Sequence, residues 1–172
     1  MVEITREHIE QCIDKMARII DAPANLLPAC IDEPDNSRSY IEIGRNGSLT
    51  YIVKGDRGEK RIINAIDLDH LLYIVFSNIT ISLAIELVGK NPDLNQDPRR
   101  QQFHVQLGLL DKINKEWRRK EELSQRTAEM QFPFDDDEGK RLLYFRELLG
   151  SGFLYEEALQ KTNNKFRLNI GK

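Results

Sequence analysis

The sequence predicts an α+β fold: a small antiparallel β-meander packed against a central buried helix and surrounding helices, with a helical C-terminal half. Three observations carry this. Residues 68–88, LDHLLYIVFSNITISLAIELV, are apolar on nearly every side, as in a helix buried all round. Residues 40–65 hold short β-prone runs separated by glycine-bearing turns, the pattern of a meander. From Asp97 onward apolar side chains recur at helical spacing between proline and glycine stops.

The central stretch contains β-branched Ile74, Val75, Ile79, Thr80 and Ile81, yet strands run to only ~4 to 8 residues, so its length favours a helix. Asp67 is placed to cap it, and Gly89, Asn91 and Pro92 to stop it. A membrane span is not expected, because the run free of charge and His, 71–85, falls short of the ~20 apolar residues required. Ser77, Asn78, Thr80 and Ser82 interrupt that run further.

Before it, Ile9, Cys12, Ile13, Met16, Ile19 and Ile20 mark an amphipathic helix from about Thr5 to Ile20. Thr5 serves as its cap, and Ile4 packs on Ile9 as a staple. An irregular passage follows around Pro23, Pro28 and Pro34, anchored by Leu26 and Leu27. Tyr40, Ile41 and Ile43 begin the first strand, and Asn46-Gly47 supplies the positive φ of a hairpin turn. The second strand is 49–54. A turn at Gly55, Asp56, Arg57 and Gly58 precedes a third near 59–65, and the central helix is the natural cover for the sheet.

Asp97 and Pro98 occupy the cap and first-turn positions of the next helix, whose inward stripe is Phe103, Leu107 and Leu110, supported by Ile113. A break near Asn114 leads to a charged, exposed helix ending about Glu129, with Trp117 as a core anchor. Pro133 ends that segment. The acid run Asp135, Asp136, Asp137, Glu138 opens a helix bearing Leu142, Leu143, Phe145, Leu148 and Leu149. Gly150 and Gly152 divide it from a last short helix near 155–161, with residues from Thr162 on frayed. The chain reads as one domain, with a body to 136 and a helical extension over 137–172.

At 172 residues, 40% hydrophobic and 31% charged, the chain is long enough to build a core without metal or disulfide staples. Cys12 and Cys30, with His8, His70 and His104, form no metal-ligand or disulfide pattern, so no cofactor is implied. The N-terminal MVEITREHIEQC lacks the apolar region of a signal peptide, and a cytoplasmic location is expected. The net charge of -3 divides unevenly. Residues 140–172 hold seven Lys or Arg against three acids, a balance of +4, which leaves 18 basic and 25 acidic residues before them, a balance of -7. An acidic body repels nucleic acid and attracts basic proteins.

No triad, phosphate loop or zinc signature emerges. His70 beside Asp69 is better read as a surface residue or a cap partner, and His104 within QQFHV as a helix-surface residue. Arg99 and Arg100 at a helix start could grip an anion, but structural ion pairing is the more economical reading. Gly150-Ser151-Gly152 lacks the strand a nucleophile elbow needs.

Residues 96–117, QDPRRQQFHVQLGLLDKINKEW, resemble the immunity protein 63 family of bacterial polymorphic toxin and contact-dependent growth inhibition systems. Gln96, Asp97, Arg99, Arg100, Phe103, Gln106, Leu107, Leu109, Leu110, Lys112 and Trp117 fall on its pattern. Similarity extends to Tyr40-Ile41-Glu42, to Asp56-Arg57-Gly58, to Leu71, Leu72, Tyr73 and Phe76, and to Pro133-Phe134-Asp135-Asp136. Pro98 stands where an aromatic residue is expected, and Ile113-Asn114-Lys115 replaces a Leu-Ser-Pro break. The resemblance implies a non-catalytic protein that binds a cognate toxin domain, with Asp97, Arg99, Arg100, Phe103, Gln106, Leu107, Leu110 and Trp117 serving the fold. Toxin contact is then expected at Asp135, Asp136, Asp137 and Glu138, and at Arg118, Arg119, Glu121 and Glu122. The alternatives are a small enzyme using Arg99, Arg100 and His70, or a nucleic-acid-binding regulator using the basic tail.

Overall fold

The computed structural model describes residues 4–30, 39–55 and 59–166. The expected turn residues Asp56, Arg57 and Gly58, the Pro34 passage at 31–38 and the last six residues lie outside them. The chain divides into two compact units, Met1–Leu83 with Gln106–Glu121, and Ala84–Val105 with Glu122–Lys172.

In the first unit, helix α1 spans Arg6–Ile19, and the Thr5 side chain accepts the His8 amide at its start. Ile9, Ile13 and Ala17 point inward, and Ile4 packs against the same core. A single 3₁₀ turn at Ala24–Leu26 follows, with Leu26 and Leu27 packed on the core as expected. Strands β1 (Tyr40–Ile43), β2 (Leu49–Lys54) and β3 (Lys60–Ala65) form an antiparallel sheet in the order β1-β2-β3. At the first turn Gly47 alone takes positive φ, 77°, while the Asn46 side chain accepts the Ser48 amide. The asparagine thus acts through its side chain and the glycine through its backbone.

Helix α2 runs Leu68–Lys90, and Asp67 Oδ1 accepts the His70 amide at 2.8 Å, so the predicted cap forms. Leu71, Val75 and Phe76 are fully enclosed, among Ile9, Ile41, Tyr51, Leu110 and Trp117. Two expectations for α2 are corrected. At 23 residues it is long and apolar enough to span a membrane by length and composition, so length does not separate the two readings; burial of its first four turns in this core does, for that part. Nor is it buried all round, since Ile85 and Leu87 near its end are half exposed.

The polar residues of α2 are accommodated by local bonding. Thr80 Oγ1 donates to the Phe76 carbonyl at 2.6 Å and Ser82 Oγ to the Asn78 carbonyl at 2.9 Å, and Asn78 Nδ2 donates to Tyr51 Oη on β2 at 3.2 Å. Among the described residues no buried side-chain polar atom lacks a partner, the condition for packing such a helix internally.

Helix α3 spans Pro98–Ile113 and α4 Lys115–Gln131. Asn114 separates them and caps α4, its Oδ1 accepting the Glu116 amide at 2.9 Å. The inward face of α3 differs from the expected stripe: Gln106, not Leu107, is fully buried beside Leu110, and Gln106 Nε2 donates to the Ser77 carbonyl at 3.1 Å. Helix α4 is not exposed throughout, because Trp117, Glu121 and Gln125 are all buried along it.

In the second unit, α5 (Glu138–Gly150) and α6 (Tyr155–Lys165) form a hairpin around Gly152, φ 88°. Leu148, Ala158 and Thr162 close its seam. Helix α6 outlasts its predicted end at 161, and Thr162, expected to be frayed, is 4% exposed and donates to the Ala158 carbonyl. Gly139 is closely packed: a Cβ there would meet the Leu94 carbonyl oxygen at 3.0 Å.

Phe76→Ala removes a fully enclosed ring and is expected to lower stability by about 3 to 5 kcal/mol, read as an earlier denaturant midpoint at unchanged slope.

Candidate interaction surface

The motif Gln96-Asp97-Pro98-Arg99-Arg100 and the segment Phe132–Asp137 are brought together as one clasp in the second unit. Its centre is Asp97, 1% exposed at the start of α3. Asp97 Oδ1 accepts the Arg99 amide at 2.9 Å and Arg99 Nε at 3.0 Å, and Oδ2 accepts Arg99 Nη2 at 2.6 Å and the Asp135 amide at 2.8 Å. Pro98, with no amide to offer, takes the first helical position. Arg99 continues outward, donating Nη1 to the Phe132 carbonyl at 2.8 Å and Nη2 to the Pro133 carbonyl at 2.9 Å.

Arg100 repeats the pattern on Asp136, with Nε to Oδ1 at 2.8 Å and Nη2 to Oδ2 at 3.0 Å. Asp136 Oδ1 also accepts the Asp97 amide at 2.9 Å. The Phe134 ring lies against both guanidiniums, 5.2 Å from Arg99 and 4.2 Å from Arg100, and 6.0 Å from the Phe103 ring. Asp135 is gripped by both Arg141 guanidinium nitrogens. Gln96 Nε2 donates to the Asp93 side chain, at Oδ2, at 2.9 Å, so the first residue of the motif is also held by an internal hydrogen bond.

The electrostatics follow from these bonds. Burial pushes the Asp97 carboxyl up, but the hydrogen bonds from Arg99 and the Asp135 and Arg99 amides outweigh it and hold it below its ordinary value. Arg141 holds Asp135 down despite its partial burial. Arg100 and the Asp97 amide bring Asp136 to about 2. The two arginines are therefore committed to carboxylates and carbonyls, as ion-paired structural groups are.

The other candidates divide. Asp137 and Glu138 project at the start of α5 and are exposed, with Asp137 Oδ1 3.2 Å from Lys140 Nζ. Arg119 pairs with Glu116 and Glu122 with Arg126 along the exposed flank of α4, and Arg118 lies 4.0 Å from Asp111. Glu121 differs: it is 8% exposed, and its Oε2 accepts Tyr73 Oη at 3.0 Å and Ser77 Oγ at 2.7 Å. Burial, with Glu121 adding to it, pushes the Tyr73 phenol above its ordinary value. The expectation of a surface Glu121 is thus corrected, and its spacing of four from both Trp117 and Gln125 was the signal that it lies on the buried face.

Trp117 Nε1 donates to Asp69 at 3.2 Å, and its ring packs at 6.3 Å from both Tyr73 and Phe76. His70 Nδ1 accepts the Ile66 amide at 3.2 Å. The residues of the enzyme alternative are thereby engaged in holding backbone and carboxylates. Burial, with Glu10 contributing, pushes the Cys30 thiol up to about 11, which keeps it protonated and unreactive at neutral pH. His104 and Arg100 border an open cavity of about 440 Å³ with Leu87, Val88 and Gln101. Among the described residues no group of His, Cys, Asp and Glu is arranged to hold a metal.

Arg99→Met leaves the Asp97 carboxylate enclosed without its cation and is expected to destabilise the fold by about 3 to 5 kcal/mol, measured by chemical denaturation. Because Asp97, Asp135 and Asp136 titrate lower in the folded chain than unfolded, they stabilise it above the unfolded carboxylate value near 4. That stabilisation is lost as pH falls from there toward and below 2. The urea midpoint should therefore drop across this range, and less steeply in Arg100→Ala.

No curated protein and no solved structure matches the chain. A family model does match, over residues 47–127. This range holds β2, β3, α2, α3 and most of α4, and leaves out both Tyr40-Ile41-Glu42 and Pro133-Phe134-Asp135-Asp136, to which the resemblance had been extended. That model describes Immunity protein 63, and the match supports assigning the chain to the immunity protein 63 family.

Proposed function

We propose that this chain is an immunity protein that binds one cognate bacterial toxin domain and neutralises it by occupying its surface, without chemistry of its own. The match over residues 47–127 carries this reading. The commitment of Arg99, Arg100 and His70 to internal hydrogen bonds agrees with it. The setting is contact-dependent growth inhibition or a related polymorphic toxin system, and the protein acts in the cytoplasm with no cofactor.

The toxin-facing residues we assign are Asp137 and Glu138 at the start of α5 and, as a separate group, Arg118, Arg119 and Glu122 on α4. Asp135 and Asp136 support them by fixing the backbone from which α5 starts. Charges of this kind on a rim act mainly on encounter: they speed association with an oppositely charged partner and lose force as salt rises.

The test is titration of the toxin domain encoded beside this chain's gene. Saturation at one to one, with loss of toxic activity at the same point, is the expected result, and no binding at micromolar concentration contradicts it. Asp137→Lys with Glu138→Lys should slow association roughly tenfold at low salt and flatten its salt dependence. An unchanged association rate at every ionic strength would remove these two acids from the interface.

A further inference from the structure

We draw no further inference here: the strongest candidate, the apolar groove of the α5–α6 hairpin lined by Leu142, Phe145 and Leu159, carries none because nothing among the described residues shows what covers it, a segment of a toxin or a second copy of this chain.

Discussion

The first unit depends on one constraint: the part of α2 that it contains packs into the core, yet carries hydroxyl, amide and phenol groups that must all be satisfied there. An unsatisfied polar group in such a place costs about 1 to 3 kcal/mol, so each has been given a partner, and those partners define what packs around the helix. Asn78 reaches Tyr51 and so ties α2 to the sheet. The Ser77 carbonyl receives the Gln106 amide from α3, and Ser77 and Tyr73 converge on Glu121 of α4. Asp69, in the first turn of α2, receives the Trp117 indole. Apolar burial supplies most of the stabilisation, and these polar bonds select one arrangement of sheet and helices around α2.

The second unit uses the same economy with charge. In sequence the Arg-Arg pair could grip an anion, with ion pairing the more economical reading, and the acid run offers itself as a surface for a toxin. Folding sets them against each other, Arg99 on Asp97 and Arg100 on Asp136, with the Phe134 ring against both guanidiniums. The part of the run that the clasp does not consume is Asp137 and Glu138, both exposed. An interface reading built from charge alone overstates the available surface whenever opposite charges sit far apart in sequence and close in space.

Much of the fold was legible because local rules carried it. The Thr5, Asp67 and Asn114 caps, the Pro98 position, the three-stranded meander and the break between α3 and α4 all rest on signals within a few residues. What escaped depended on distant partners. Glu121 reads as a surface residue by type and is buried because Tyr73 and Ser77 lie opposite it, and the inward face of α3 turns on Gln106 rather than Leu107 because the Ser77 carbonyl faces it. The end of α2 reads as core by hydropathy and is partly exposed. The fold-serving residues of the motif were recognisable as a set through family resemblance, and only the structure says that Asp97 is the group the others surround.

The central claim is that this chain protects by binding a toxin. The most direct measurement is survival of cells that express the neighbouring toxin domain, with and without this chain, scored beside recovery of the two proteins as one complex. Survival only when the chain is present, with the toxin domain held in a one-to-one complex, is the result expected. Equal killing with and without a folded, soluble chain would contradict the account.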